Sequence, residues 1–141
     1  MKIKSIAFLA MCILLISCSA TPPVELSQEE LVFLNAVNSM DTTFTVPAEE
    51  SEATWIRIQS FIGEFSSMDI KTSSDSVIET FKPDGDNYGY TAARTPLDEK
   101  VEFTVNCTCG NMFGNKNAEQ NAKCLAYFAK TSEINPAFIV Q

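Results

Sequence analysis

The sequence has no histidine among its 141 residues. Without an imidazole the chain cannot build a Ser-His-Asp or Cys-His catalytic group, and it cannot ligate zinc through histidine. Carboxylate pairs, lysines and tyrosines remain available as acids and bases, but no motif brings them together for catalysis. We therefore predict that the protein is not an enzyme and that it uses no metal ion and no cofactor.

Basic side chains are scarce, because the chain carries 10 Lys and Arg against 18 Asp and Glu, for a formal charge of −8. An acidic surface repels the phosphate backbone of nucleic acids and the headgroups of anionic lipids. It attracts basic proteins, although solubility alone also favours a charged surface. The composition therefore predicts no nucleic-acid partner and leaves a basic protein partner open.

A long apolar run is missing after residue 17, where no stretch approaches the roughly 20 residues that a transmembrane helix needs. The start of the chain has a different pattern. Lys2 and Lys4 precede a short apolar run over residues 6–16, and a small residue and a cysteine follow that run. This order is typical of a secretory signal.

The segment Leu15-Ile16-Ser17-Cys18 resembles the lipobox of bacterial lipoproteins, in which the cysteine is lipidated and becomes the first residue of the mature protein. The resemblance implies a signal peptide over residues 1–17 and a lipid anchor on Cys18. Three acyl chains, as on such cysteines, hold a protein firmly at a membrane, whereas one chain binds only marginally. Because Ser19 rather than Asp follows, the resemblance implies the outer membrane of the cell envelope, with the domain facing the periplasm.

The chain after the signal divides into a tether, a connector and one domain. Residues 18–27 are short and polar, and they predict an extended lipidated tether. Residues 28–46 predict a short helix and an extended connector, and Ser27 with Glu30 forms a capping box before that helix. Residues 47–141 predict a single α+β globular domain.

Within this domain, apolar residues recur at helical spacing after Pro47, which suits the first turn of a helix. The residues that carry this spacing are Trp55, Ile58, Ile62 and Phe65. Four strand-like segments then follow, near residues 68–70, 77–81, 88–92 and 101–109. A last helix with an alanine-rich face is predicted over residues 117–130.

This order predicts an α+β fold in which an antiparallel four-stranded meander packs against flanking helices, since short links favour antiparallel neighbours. Over residues 47–130 the order is similar to the helix-grip domains of some envelope lipoproteins, including accessory subunits of outer-membrane assembly machinery. The resemblance concerns topology alone, so it transfers no functional residues.

Three cysteines remain after the signal and the lipid site, in a compartment that can oxidise thiols. Cys107 and Cys109 share one face of the last strand, and Cys124 lies on the last helix. Counting along strand and helix favours a disulfide between Cys107 and Cys124, with Cys109–Cys124 as the alternative. The third thiol is then left over, either as a small buried residue or for redox exchange, an incomplete thiolate metal site or an intermolecular bridge.

Two candidate contact regions stand out. Met112 and Phe113 lie in a Gly- and Asn-rich loop, where they either anchor a protein partner or fold back over the core. An aromatic set between helix and sheet either lines a pocket for an apolar ligand or forms ordinary core. The aromatic set is Trp55, Phe61, Phe65, Tyr88, Tyr90 and Phe103.

Three functions follow from these patterns. We expect a membrane-anchored, non-enzymatic lipoprotein that binds another protein or assists an assembly, whose partner the sequence does not identify. The first alternative is a small acidic inhibitor or immunity lipoprotein that acts against a basic cell-wall hydrolase. The second alternative is a carrier of an apolar ligand.

Overall fold

A computed structural model describes residues 25–141, so the predicted signal peptide, Cys18 and most of the tether lie outside the described residues. The fold of these residues is α+β, as the sequence predicted, and residues 25–141 contain three α-helices and five strands. The helices are α1 (Gln28–Asn38), α2 (Ser51–Phe65) and α3 (Asn115–Thr131). The strands are β1 (Thr43–Pro47), β2 (Ile70–Ser73), β3 (Val77–Thr80), β4 (Tyr88–Pro96) and β5 (Lys100–Cys109).

The strands form one antiparallel sheet in the order β1-β5-β4-β3-β2. The prediction of four strands is wrong, because β1 pairs with β5 and places Phe44 opposite Phe103. Phe44 and Val46 are buried and alternate with exposed residues of β1. Pairing therefore removes two apolar side chains from water, which an isolated connector would leave exposed.

The predicted connector region, residues 28–46, packs against residues 47–141. The Ser27 hydroxyl accepts a hydrogen bond from the backbone N–H of Glu30, and the Glu30 carboxylate accepts one from the backbone N–H of Ser27. These bonds cap α1 as the sequence predicted. Further along the helix, Phe33 lies against the rings of Tyr127 and Phe138 at 5.3 and 5.6 Å between centroids.

The core lies between the sheet and the pair of helices α2 and α3. Trp55 of α2 stacks on Phe103 of β5, and Phe61 meets the edge of Tyr90 in β4. Four alanines of α3 are buried and let this helix approach the sheet closely. These alanines are Ala118, Ala122, Ala126 and Ala129.

The other face of the sheet is polar and open to solvent. Outward positions of β1, β4 and β5 carry mostly hydroxyl and amide side chains, and the hydroxyls of Thr43 and Thr104 lie 3.2 Å apart across two strands. One covered face and one solvated face make a two-layer domain. Within residues 25–141, no helix has both the length and the apolar character that crossing a bilayer needs.

The chain after α3 docks on that helix through Asn121. The buried Asn121 side chain donates to the carbonyl of Val140 at 2.7 Å and accepts from its N–H at 2.9 Å. The Cys124 thiol lies 3.7 Å from the carbonyl of Phe138, and Ile139 is buried. The last residues therefore cover one side of the core.

Candidate functional site

Two large apolar side chains stand in solvent just beyond the end of β5. Met112 is 77% exposed and Phe113 is 91% exposed. They lie in the 3-10 turn Met112–Gly114, which leads directly into α3. Burial of a side chain of this size stabilises a protein or a complex by about 1.5–3 kcal/mol, and these two exposed side chains do not contribute that free energy to the fold. We refer to Met112 and Phe113 as the apolar tip.

The backbone of the apolar tip is held by Asn111. The Asn111 Oδ1 accepts hydrogen bonds from the backbone N–H of Phe113 and of Gly114, each 2.8 Å long. Its Nδ2 donates to the carboxylate of Asp86 in the β3–β4 turn. The exposed side chains therefore project from a capped turn that is tied to its neighbour.

Two glycines allow this loop to lie against the surrounding chain. A Cβ on Gly110 would overlap the backbone of Asp84, and a Cβ on Gly114 would overlap the Sγ of Cys109. The backbone N–H of Gly110 also donates to the carbonyl of Asn87 at 3.1 Å. Close contact on both sides fixes where the apolar tip stands relative to the sheet.

A groove of about 310 Å³ lies beside the apolar tip. Its wall includes the hydroxyl of Tyr88, which accepts a hydrogen bond from Asn117 Nδ2 at 3.3 Å. The lining residues are Asp86, Tyr88, Asn111, Phe113, Gly114, Asn117, Val140 and Gln141. The groove is at the small end of the range for ligand sites, which is about 300–1,000 Å³, and it opens to solvent. It forms a recess next to the tip.

Phe81 adds a third exposed apolar side chain at this end of the sheet. It follows β3, and its ring is about half exposed. The ends of β3 and β5 meet the start of β4, since Tyr88 is paired with Cys109. The alternation of residues along the strand predicts the face of the sheet on which Phe81 lies. Which side chains share one end of the sheet follows only from the order of the strands.

The opposite end of the sheet is acidic. There the start of α2 meets the β4–β5 hairpin, and the N–H of Ala48 donates to the carbonyl of Glu99 at 3.1 Å. Arg94 pairs with Glu52 at 2.8 Å and lies over the ring of Trp55. We call this region the acidic end. Its acidic residues are Glu49, Glu50, Glu52, Asp75, Asp98 and Glu99.

The three cysteines are free thiols in the structure, so neither predicted disulfide is formed there. Cys107 and Cys124 are buried, and Cys109 is half-buried. Burial raises the pKa of the Cys107 thiol to about 12 and also raises the pKa of Cys124. Both thiols are therefore protonated near neutral pH and are poor nucleophiles. The pairing of Cys107 or Cys109 with Cys124 stays a prediction.

The buried thiols lie in a partly polar region of the core. Tyr90 pairs with Cys107 across β4 and β5, and its hydroxyl is buried without a hydrogen-bond partner. Burial raises the pKa of Tyr90 far above its usual range. Asn121 lies nearby with both of its amide atoms bound to Val140. This arrangement provides no accessible acid, base or nucleophile.

The turn that contains Asp84 and Asp86 uses its carboxylates locally. The Asp84 carboxylate accepts a hydrogen bond from Asn87 Nδ2 at 2.8 Å, and the Asp86 carboxylate accepts one from Asn111. Among residues 25–141, no three Cys, Asp or Glu side chains are grouped so that they could hold a metal ion. Turn chemistry accounts for these residues.

The sequence left open whether the aromatic set lines a ligand pocket or forms ordinary core. In the structure several of its rings pack against one another. Phe61 contacts Phe65, Tyr90 and Phe128 at centroid distances of 4.8 to 6.0 Å. Such contacts fill the space between α2, α3 and the sheet with side chains. Tyr88 is the member of the set that lines the groove beside the apolar tip.

The structure thus brings Met112, Phe113 and the Cys109 side of β5 together at one end of the sheet. It places Cys107 and Cys124 inside the core, and Cys18 lies before the first described residue. Comparison of the chain with protein-family models, with curated proteins and with solved structures found no match.

Proposed function

We propose that this protein is a lipid-anchored lipoprotein of the bacterial envelope, which binds another protein through the apolar tip and catalyses no reaction. The observation that carries the proposal is the exposure of Met112 and Phe113 on a backbone that Asn111 holds in place. Large apolar anchors on a preorganised backbone are what protein interfaces use as their energetic centre.

The anchoring part of the proposal comes from the sequence around Cys18. Lipid on this residue would hold the domain at the outer membrane, on the periplasmic side. The folded unit begins at Gln28, so ten residues, 18–27, separate the lipid from the first helix. Such a tether reaches roughly 33 Å when it is fully extended. The partner therefore lies near the membrane surface.

The order of strands and helices supports a role as an assembly accessory, because it is similar to the helix-grip order. A helix, a set of sequential antiparallel strands and a final helix follow one another from Ser51 to Thr131. This support is an analogy of topology, and the contact surface of this chain is its own.

The proposal is tested by capture from gently solubilised envelopes of the native host. The lipidated wild-type chain is compared with a variant that combines Met112→Ser and Phe113→Ser. We expect the same protein to be retained repeatedly by the wild type and to be lost with the variant, because the apolar anchors are gone.

The matched control is Leu97→Ser, since Leu97 is another large apolar side chain, about half exposed, that lies in the β4–β5 hairpin at the acidic end. This variant should retain the partner as the wild type does. A partner that is retained equally by all three chains, or no reproducible partner at all, would contradict the proposal.

A second candidate function is supported by the acidic end. Six carboxylates lie around the start of α2 and the hairpin, with Arg94 and Lys100 as the neighbouring bases. A basic cell-wall hydrolase would be drawn to such a surface electrostatically. An inhibition assay with a basic lysozyme tests this function, because inhibition should weaken as salt concentration rises. Undiminished hydrolysis with excess protein would exclude it.

A further inference from the structure

The two ends of α3 carry different parts of the molecule. The first turn of α1 lies beside the chain that follows α3, because Ser27, Glu30 and Phe33 line one groove with Glu133 and Pro136. The end of α1 lies further back along α3, where the Lys123 ammonium donates to the carbonyl of Asn38. The helices α1 and α3 therefore run antiparallel, and the chain enters the folded unit at the C-terminal end of α3.

The apolar tip lies at the other end of the same helix. Phe113 comes two residues before Asn115, where α3 begins. The helix has 17 residues, so its two ends are about 25 Å apart. A tether that arrives at residue 27 thus joins the domain on the side that faces away from the apolar tip.

The charged side chains are distributed unevenly between the two ends of α3. Arg57, the seventh residue of α2, donates to the carbonyl of Ala129 at 2.7 Å, which places the first half of α2 near the end of α3. The acidic end therefore lies on the tether side, together with Glu29, Glu30 and Glu133. The bases of this side are Arg57, Arg94, Lys100 and Lys130, and the carboxylates outnumber them. The other end carries fewer acids, and Lys82 and Lys116 are among its bases; its acids are Glu64, Asp69, Asp84, Asp86 and Glu119.

An anionic bilayer would repel the tether side of the domain. Anionic headgroups give a membrane surface a negative potential, which acts on charges within about a Debye length. The tether holds this acidic side nearest to the lipid, so repulsion keeps the domain lifted from the surface. The apolar tip then points away from the membrane.

We infer that the apolar tip is presented to the aqueous compartment, where it docks into an apolar pocket of a protein partner and does not insert into the bilayer that holds the lipid anchor. This inference rests on the proposed function and specifies the partner as a protein. Insertion of Phe113 into the same membrane would require the domain to turn over and to bring the tether back along the length of α3.

Energy transfer to a membrane tests this orientation. The full-length lipidated chain is reconstituted into phosphatidylcholine and phosphatidylglycerol vesicles that contain a dansyl-headgroup lipid as acceptor. A tryptophan donor is introduced by Phe113→Trp at the tip or by Ile134→Trp on the tether side. Trp55 is the one native tryptophan, and it gives a constant background in both variants.

We expect transfer from position 134 to exceed transfer from position 113 by about threefold or more, since the sites lie at opposite ends of a helix about 25 Å long. Equal transfer, or greater transfer from position 113, would overturn the inferred orientation. Cys18→Ser should abolish transfer from both donors. Failure of the wild-type chain to bind vesicles would overturn the anchor itself and, with it, this inference.

Discussion

Gly114 sets the position of the apolar tip because its missing side chain leaves room for Cys109. We predict that Gly114→Ala lowers the free energy of unfolding by about 1–3 kcal/mol, the usual cost of overpacking a close contact. Urea unfolding of the two chains measures the difference. Loss of stability should be accompanied by weaker partner capture, since the loop must shift.

Gly63 provides the matched control for this substitution. It lies in α2, and a Cβ added there would meet nothing within 4 Å. Gly63→Ala should therefore raise the free energy of unfolding by about 0.5–1 kcal/mol, because alanine favours the helix over the unfolded chain. If both alanine variants changed stability in the same direction, the contact between Gly114 and Cys109 would not control the loop.

The thiols give a second test at the level of single residues. Of the three cysteines in residues 25–141, only Cys109 is partly exposed, so a thiol reagent at pH 8 should modify it and spare Cys107 and Cys124. We predict one reactive thiol in the folded domain over residues 25–141. After unfolding without reductant, one reactive thiol would support the predicted bridge to Cys124, and three would contradict it.

The raised pKa of Cys107 predicts how stability depends on pH. Burial raises the pKa of the Cys107 thiol from its ordinary value of 9.0 to about 12 in the folded chain. Above pH 9 the unfolded chain loses this proton first, so the stabilisation is complete below that pH and is lost as pH rises towards 12. Cys124 acts in the same direction.

In the reduced protein, where Cys107 is a free thiol, Cys107→Ala should therefore make the fall in unfolding free energy above pH 9 less steep, by at most about 1.4 kcal/mol per pH unit for the one proton removed. Urea unfolding at several pH values between 8 and 11 measures the slope. The small cavity that the substitution leaves lowers the free energy of unfolding by the same amount at every pH. It therefore does not affect the comparison of slopes. An unchanged slope would contradict the assignment of alkaline instability to this thiol.

Among the elements, β1 is the one whose place in the fold has the clearest consequence. Phe44 stacks on Phe103 at 5.7 Å between centroids and is buried by pairing with β5. Phe44→Ala should lower the free energy of unfolding by about 3–5 kcal/mol, as truncation of a core phenylalanine does. Thr45→Ala, on the exposed face of the same strand, should change it by less than about 0.5 kcal/mol.

Local periodicity in the sequence predicted the helices and four of the strands. The pairing of strands that are distant in sequence could not be predicted in this way. The alternation from Val101 to Cys109 is a pattern of neighbours in sequence, so it predicted β5 directly. The pairing of β1 with β5 joins Thr43 and Thr104, which are 61 positions apart. Nothing within β1 itself distinguishes a fifth strand from an extended connector.

The candidate site shows the same limit. Met112 and Phe113 were identifiable because apolar residues in a Gly- and Asn-rich loop stand out in a sequence. Their degree of exposure depends on the contacts of Gly110 and Asn111 with the β3–β4 turn, which only the folded chain brings near. That Phe81 lies at the same end of the sheet as the tip was not predicted, for the same reason.

At the scale of the whole molecule, the domain has two unlike ends. One end carries the chain entry, the start of α2 and six clustered carboxylates, and the other carries the apolar tip beside the groove lined by Tyr88. Charge at one end and an apolar anchor at the other give a tethered domain a preferred direction. This direction links the proposed lipid anchor to the proposed binding of a protein partner.

The central claim is that the apolar tip contacts a protein partner in the envelope, and site-specific photocrosslinking tests it most directly. A photoreactive phenylalanine replaces Phe113 in the full-length lipidated chain in the native host, and the control carries it at Leu97. The account predicts a discrete crosslinked protein from position 113 that position 97 does not give. Crosslinks from position 113 to lipid alone, or the same products from both positions, would contradict it.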